Sequence, residues 1–156
     1  MKVSIITINY NNVAGLEKTI NSVISNDLYD IEYIVIDGNS TDGSIDVIKK
    51  YESKINFWIS KPDSGIYNAM NKGIVKATGE YLLFLNSGDW FADNSVVVDF
   101  YKSNLNEDLI SGNIFFFDNG TAFLNKSIEK EELSYGFFYE WSIPHPSTFI
   151  KRKLFF

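Results

Sequence analysis

Apolar runs alternate with helical patterns along the first ninety residues. Four runs rich in β-branched and aromatic side chains indicate strands, at residues 3–8, 31–36, 55–60 and 81–85. Three stretches with apolar side chains every three or four positions indicate helices, at residues 16–24, 44–51 and 66–76. This alternation predicts a parallel sheet with right-handed crossovers and helices on both faces.

The run at residues 81–85 is apolar at every position, which indicates a strand buried on both faces. The residues that follow, 86–89, read Asn-Ser-Gly-Asp. Ligands bind beyond the carboxyl ends of strands in open α/β sheets, so this turn is a candidate cation site. The same residue types dominate ordinary turns, and both interpretations stay open on this stretch alone.

The other predicted strands of this half also end in polar loops. Asn9 follows the first strand, Asp37 the second and residues 61–63 the third. The carboxyl ends of parallel strands share one edge of a sheet, so we expect these loops to converge on one ligand site.

The pattern changes after residue 90. The predicted elements are a helix at 93–101, strands at 109–117 and 147–150, a hairpin turn at 118–120 and a charged helical link at 129–133. Residues 137–141 are unusually aromatic. No repeat or linker interrupts the chain, so we predict a single domain over residues 1–156.

Charge and composition exclude several classes of protein. The formal net charge is −6, whereas a general nucleic-acid binder needs a basic face, so we expect no nucleic-acid partner. The absence of cysteine rules out disulfides and thiolate metal sites and fits a cytoplasmic protein. The apolar start is too short for a signal peptide, and no run approaches the roughly 18 apolar residues of a membrane span.

The sequence lacks several common cofactor-binding and catalytic motifs. A phosphate loop requires Lys followed by Ser or Thr, but this chain has Ser44 followed by Ile45. An EF-hand requires Gly and Glu at the positions that Asp42 and Ile48 occupy. A single histidine, His145, excludes a multi-histidine zinc site. Neither a dinucleotide fingerprint nor a serine nucleophile elbow is present.

Three carboxylates at strand ends remain as candidates. Asp37 and Asp63 could accept hydrogen bonds from a nucleoside, or could be ordinary loop and helix-cap residues. Asp89 could ligate a metal that neutralises a diphosphate leaving group.

Ordered motifs in this chain resemble a known family. Residues 34–44 read Ile-Val-Ile-Asp-Gly-Asn-Ser-Thr-Asp-Gly-Ser, and residues 61–74 read Lys-Pro-Asp-Ser-Gly-Ile-Tyr-Asn-Ala-Met-Asn-Lys-Gly-Ile. With residues 3–7 and 79–81, they resemble the family 2 glycosyltransferases of the GT-A fold. Residues 144–152, Pro-His-Pro-Ser-Thr-Phe-Ile-Lys-Arg, are similar to a segment of the branch that acts in polysaccharide and colanic-acid-type synthesis.

The resemblance implies a Rossmann-like, mostly parallel α/β sheet flanked by helices. Residues 1–90 would form the nucleotide-sugar-binding half, and residues 91–156 part of the acceptor half. The implied nucleotide-binding residues are Thr7, Asn9, Tyr10, Asp37, Asn39, Ser40, Asp63, Gly65 and Asn71. Asp89 and Asn86 would hold Mg²⁺ or Mn²⁺, and His145 and Trp90 would lie near the diphosphate or the acceptor. His145 could equally be a structural histidine in a turn.

Two departures from the family pattern affect these expectations. Many relatives have Asp-Ser-Asp-Asp where this chain has residues 86–89, of which only Asp89 is a carboxylate. The family's catalytic base is usually found well beyond the Pro-His-Pro segment, so we expect it beyond Phe156 and expect the chain to be truncated. Asp118 and Glu140 are alternative bases with no motif in their support.

The expected function is the transfer of a sugar from a nucleotide-diphospho-sugar, with a UDP-sugar as donor, in cell-surface polysaccharide synthesis. The acceptor would be a saccharide or a lipid-linked molecule. The reaction would be assisted by a metal and would invert the anomeric configuration. One alternative is a catalytically incomplete fragment that binds a nucleotide sugar or dimerises. Another is a nucleotidyltransferase, although the glycine-rich loop of that class is missing after the first strand. The aromatic residues near 137–141 and the basic residues 151–153 suggest a homodimer and contact with the inner face of the membrane.

Overall fold

The computed structural model describes residues 2–26, 30–118, 120–125 and 143–156. Its main sheet has six strands in the order β3-β2-β1-β4-β8-β5. The strands are β1 Val3–Asn9, β2 Ile31–Asp37, β3 Phe57–Ser60, β4 Tyr81–Phe84, β5 Leu109–Ser111 and β8 Thr148–Lys151. The helices are α1 Val13–Ile24, α2 Ser44–Lys50, α3 Ile66–Lys76 and α4 Ser95–Ser103. A separate hairpin is formed by β6 Ile114–Asp118 and β7 Thr121–Asn125.

The first four strands are parallel, as predicted. β1 lies in the middle and pairs with both β2 and β4, while β2 pairs with β3. The register sets Asn9 beside Asp37 and Asp37 beside Ser60. The polar ends of these strands therefore lie along one edge of the sheet.

The sheet is buried on both faces. One face packs against α1, α2 and α4, where Leu16, Ile48 and Phe100 are buried. The other face packs against α3 through Ala69 and Ile74. A strand with apolar neighbours on both sides needs no polar alternation, which explains the continuous apolar runs of β1 and β4.

The prediction for residues 109–117 was wrong in one respect. The stretch forms two strands in different sheets, because the chain turns away at Gly112 and Asn113 before β6 begins. The predicted last strand is present as β8, which runs antiparallel between β4 and β5. The predicted helical link at 129–133 and the aromatic residues 137–141 lie outside the described residues.

Gly73 allows α3 to lie close to the sheet. A Cβ at this position would come within 2.5 Å of Ile6 Cγ2, and Ile6 is completely buried. A glycine in the middle of a helix costs about 1 kcal/mol relative to alanine, so this close approach is the reason for its presence.

A second polar cluster lies at the opposite, amino-terminal edge of the strands. Glu32 of β2 accepts hydrogen bonds from Ser4 of β1 and from the amide and hydroxyl of Thr78, which precedes β4. Lys2 lies 3.4 Å from the same carboxylate. Burial raises the pKa of Glu32, but these hydrogen bonds and Lys2 outweigh burial and lower the pKa to about 2.

We predict that Gly73→Ala destabilises the protein. Overpacking against Ile6 costs about 1–3 kcal/mol, which exceeds the gain of about 1 kcal/mol in helix propensity. Val75→Ala on the same helix is the matched control, because Val75 is 71% exposed and its change should stay within about 0.5 kcal/mol. Urea unfolding of both variants measures the difference. Equal free energies of unfolding would mean that α3 moves away from the sheet without cost.

We predict that Glu32 makes the fold sensitive to acid. The pKa of Glu32 is about 2 in the folded protein, whereas an unperturbed glutamate, as in the unfolded chain, has a pKa of 4.5. The unfolded chain therefore binds the proton more tightly. The stability that Glu32 contributes is complete above about pH 4.5 and is lost as the pH falls toward 2. Glu32→Gln should lower stability at pH 7 and flatten this acid dependence, whereas exposed Glu80→Gln should do neither. Unfolding free energies measured from pH 7 to pH 2 test this, and parallel curves for wild type and Glu32→Gln would contradict it.

Candidate functional site

A cavity of about 680 Å³ opens at the carboxyl ends of the parallel strands. We call it the strand-end cavity. Six residues predicted for nucleotide or metal binding line it: Asn9, Tyr10, Asn39, Asp63, Gly65 and Asn86. They come from the loops after β1, β2, β3 and β4, so the predicted convergence of strand-end loops is found in the structure.

A buried hydrogen-bonded network lies beneath this cavity. Asp37 accepts hydrogen bonds from the Asn9 amide at 2.8 Å and from the hydroxyls of Ser40 and Ser60 at 2.6 Å each. The Ser40 backbone amide donates to the same carboxylate at 2.9 Å. Burial raises the pKa of Asp37, but these hydrogen bonds outweigh burial and hold its pKa below the ordinary value. The carboxylate is therefore ionised and fixed.

Asn9 retains one unpaired polar atom. Its Nδ2 donates to Asp37 and Ser40, which fixes the orientation of the amide because a carboxylate can only accept. Its Oδ1 has no partner among the described residues, although Asn9 is only 4% exposed. Buried amide oxygens are normally paired, so this acceptor is an exception among the described residues.

Asp63 lies at the side of the strand-end cavity, over Gly38. Its Oδ1 accepts the Gly65 amide at 3.0 Å. A Cβ on Gly38 would lie 2.9 Å from Asp63 Oδ2 and 3.1 Å from Tyr10 Cδ2. Gly38 therefore lets the carboxylate and the Tyr10 ring come together at the cavity wall.

Four predicted nucleotide-binding residues do not line this cavity. Thr7 and Asp37 have no exposed surface and Ser40 is 5% exposed; the Thr7 hydroxyl donates to the Leu85 carbonyl at 2.8 Å. Asn71 lines a separate shallow depression beside β3 and α3. A direct nucleotide contact by these four residues stays a prediction. Asp37 and Ser40 hold the side chain of Asn9, which lines the cavity.

The turn after β4 is tied to α1 by Thr19, which the sequence reasoning missed. The Thr19 hydroxyl accepts the Gly88 amide at 3.0 Å and lies 2.7 Å from the Asp89 carbonyl and 3.3 Å from the Asn86 carbonyl. Asn12, whose side chain caps α1, also donates to the Ser87 carbonyl at 3.0 Å. In the sequence, Thr19 is one of several polar residues on α1, and nothing distinguishes it from the others.

His145 reaches the same turn from the short helical turn that precedes β8. Its Nε2 lies 3.0 Å from Asn86 Nδ2. Burial lowers the pKa of His145, while Asp89 opposes this shift. Burial also raises the pKa of Asp89 above its ordinary value, against the effect of His145. The structure thus brings Asn86, Asp89 and His145 to one turn. Their roles in binding a metal or the diphosphate stay predictions.

The turn carries two side-chain oxygen groups of the kind that a divalent cation prefers. Asn86 Oδ1 is buried without a partner among the described residues, and Asp89 supplies a carboxylate. Among residues 2–26, 30–118, 120–125 and 143–156, no group of three or more acidic or histidine side chains could hold an ion by itself. A cation here would need further oxygen ligands from a bound ligand.

A second cavity, of about 370 Å³, lies on the other side of the turn. We call it the aromatic cavity. Asp89 and Trp90 line it, and so do Leu83, Leu85, Phe117 and Phe149. Trp90 therefore lies near Asp89, but it is absent from the residues that line the strand-end cavity.

Comparison with known proteins identifies the family. The sequence model described as glycosyl transferase family 2 matches residues 4–154. The chain belongs to this family. An uncharacterised glycosyltransferase of Mycobacterium tuberculosis is 44% identical over 96 residues, which cover 61% of this chain and 37% of that protein. The poly(ribitol-phosphate) β-N-acetylglucosaminyltransferase TarP of Staphylococcus aureus is 36% identical over 118 residues, covering 71% of this chain and 36% of TarP.

Solved structures show that this glycosyltransferase family 2 chain has the predicted fold. S. aureus TarS in complex with UDP-GlcNAc superposes with a TM-score of 0.78 at 24% identity, covering 99% of this chain and 46% of that one. A Pyrobaculum calidifontis mannosyltransferase in complex with GDP-Man and Mn²⁺ superposes with a TM-score of 0.63 at 18% identity, covering 71% of this chain and 35% of that one. The chain spans less than half the length of TarP and of the M. tuberculosis relative. Within the described residues of this family member, no helix has the length and apolar character needed to cross a membrane.

We predict that Thr19→Val loosens the turn after β4. The variant keeps the side-chain shape but leaves the Gly88 amide without its acceptor, which costs about 1–3 kcal/mol. Thr19→Ser keeps the hydroxyl and is the matched control. Hydrogen exchange of the Gly88 amide, compared with that of Leu85, should accelerate in Thr19→Val and not in Thr19→Ser. Equal exchange in the two variants would show that Thr19 does not hold the turn.

Proposed function

We propose that this chain binds a UDP-sugar in the strand-end cavity. It thereby supplies the donor side of a sugar transfer to a saccharide or lipid-linked acceptor in cell-surface polysaccharide synthesis. The transfer is inverting and assisted by a metal. One observation carries the proposal. Asn9, Tyr10, Asn39, Asp63 and Gly65, all selected from the sequence as nucleotide-binding, come from three separate loops and line one cavity. Family membership and the fold shared with TarS agree with it.

The network beneath the cavity fixes the amide of Asn9. Uracil presents a ring N–H beside its carbonyl groups. The Oδ1 of Asn9 has no partner among the described residues but is buried, so a uracil N–H would reach it only if the cavity wall moved. The neighbouring Asp37 carboxylate fixes that amide, so Asn9 cannot turn its NH₂ toward a base without losing two hydrogen bonds. The TarS structures of the same fold, with UDP and with UDP-GlcNAc, support the choice of nucleotide.

Asn86 and Asp89 are the residues that would hold Mg²⁺ or Mn²⁺. When bound, the cation stabilises the negative charge of the departing diphosphate. Phosphate oxygens and water would complete its ligands, as is usual for magnesium. Asn86 meets this role with its unpaired Oδ1, and Thr19 holds the turn that carries both side chains.

In the proposed transfer, the acceptor oxygen forms a bond to the anomeric carbon while the bond from that carbon to the diphosphate breaks. The diphosphate leaves with the electron pair, and attack from the opposite side inverts the anomeric configuration. The acceptor proton passes to a base that we assign to no described residue. Asp118 is exposed at the end of β6, and Glu140 lies outside the described residues.

The predicted position at the inner face of the membrane and the predicted homodimer are part of this proposal and rest on the sequence alone. The basic residues Lys151 and Lys153 are already paired with Asp108, at 3.6 Å and 2.7 Å. This pairing reduces the charge available for an anionic membrane.

Calorimetric titration with UDP, with and without MnCl₂, tests the proposal. We expect UDP to bind, and to bind more tightly with Mn²⁺. Asp89→Ala should remove most of the gain from Mn²⁺. Gly38→Ala should weaken UDP binding about tenfold, or about 1.4 kcal/mol, because Asp63 and Tyr10 must move apart. Gly112→Ala is the control for UDP binding, since its Cβ would meet Ser147 O at an ordinary 3.6 Å.

The outcomes separate the proposed activity from its alternative. Absence of UDP binding in both conditions would refute the donor site. UDP binding without sugar transfer to any acceptor would favour a nucleotide-sugar-binding fragment.

A further inference from the structure

The aromatic cavity lies next to the place where the proposed donor would react. Asn86 and Ser87 line the strand-end cavity, whereas Asp89 and Trp90 line the aromatic cavity. The short turn between them is thus the common wall of the two cavities. A molecule in the aromatic cavity would therefore lie across this turn from the proposed donor.

The lining of the aromatic cavity is mostly apolar. Its inner part is formed by Leu83, Leu85 and Phe149, all of which are buried in the core. Asp89 is the only charged side chain among the described residues that line it. The hydroxyl of Ser147, another lining residue, is 3.3 Å from the Pro144 carbonyl and is used within the protein. A sugar in this space would lose water from several hydroxyls and gain few partners in return.

Trp90 is not an open platform for stacking on a sugar. Its ring is stacked on Phe117, with the centroids 5.2 Å apart and an angle of 29° between the planes. The Lys18 ammonium lies 2.9 Å from the Trp90 ring centroid. These contacts hold Trp90 as a fixed apolar wall.

The cavity continues onto an exposed apolar strip of the β6–β7 hairpin. Phe115 and Phe117 line the cavity and point to the same side of the hairpin as their cross-strand neighbours Leu124 and Ala122. Phe117 is 58% exposed and Leu124 is 49% exposed. A ligand longer than the cavity could therefore keep its apolar part in contact with the protein.

We propose that the aromatic cavity binds the apolar group of an amphipathic acceptor, an aryl or isoprenyl group attached next to the accepting hydroxyl or its first sugar. The polar end faces Asp89 and the turn, and the apolar group packs against Leu85, Phe117 and Phe149. This inference rests on the proposed function, because it names the class of acceptor for that reaction.

The test compares glucosides that differ only in their aglycone. Methyl, phenyl and geranyl β-D-glucosides are titrated into the whole chain by calorimetry, in the presence of UDP and Mn²⁺. We expect the phenyl and geranyl compounds to bind at least tenfold more tightly than the methyl compound. Ala122→Phe, which fills the cavity from β7, should abolish this preference without changing UDP affinity. Thr121→Phe places the same ring on the opposite side of the hairpin and is the matched control.

Each outcome decides the inference. Equal binding of the three glucosides, or no binding of any of them while UDP binds, overturns it. If Ala122→Phe still binds the phenyl and geranyl glucosides more tightly than the methyl glucoside, the inference is also overturned. If Ala122→Phe does not fold, Ala92→Trp at the exposed edge of the cavity repeats this test. Tighter binding of the phenyl and geranyl glucosides without any UDP binding would support the cavity and refute the proposed function.

Discussion

The parallel, in-register pairing of β1 with both of its neighbours is the constraint on which this structure depends. It brings the ends of β1, β2 and β4 to the same edge, so residues far apart in sequence become adjacent. Short polar loops can then build a cavity without large movements of the backbone. The apolar faces of these strands hold that edge rigid because helices cover them on both sides.

β2 carries a buried carboxylate near each end, and the two are stabilised differently. Glu32 has Lys2 nearby and joins β1, β2 and the segment before β4. Asp37 receives hydrogen bonds only from neutral groups among the described residues, so its negative charge is not cancelled. That charge lies beneath a cavity proposed to hold a diphosphate. A diphosphate that enters together with a cation meets less repulsion there than a bare one.

Much of the fold and part of the site could be predicted from the sequence. Strongly apolar runs and helical spacing located β1 to β4 and α1 to α3, because both faces of the sheet are buried. Loop residues such as Asn9 and Asp63 were found because strand ends in a parallel sheet converge. The break at Gly112 and Asn113 was missed although both residue types favour turns, because the apolar residues on either side were assigned to one strand. Thr19 was missed because its role comes from a contact with residues almost seventy positions away.

The position of β8 has a consequence for the order in which the two cavities form. The described residues that line the strand-end cavity all lie between residues 8 and 87, whereas those of the aromatic cavity extend to Phe149. Until β8 is added, β4 is an unpaired edge and His145 has not reached Asn86. During synthesis from the amino terminus, all residues of the strand-end cavity, which we propose binds a nucleotide, are therefore made before the aromatic cavity can be completed. The long-range pairing of β8 with β4 then covers an aggregation-prone edge and adds Phe149 to the lining of the aromatic cavity.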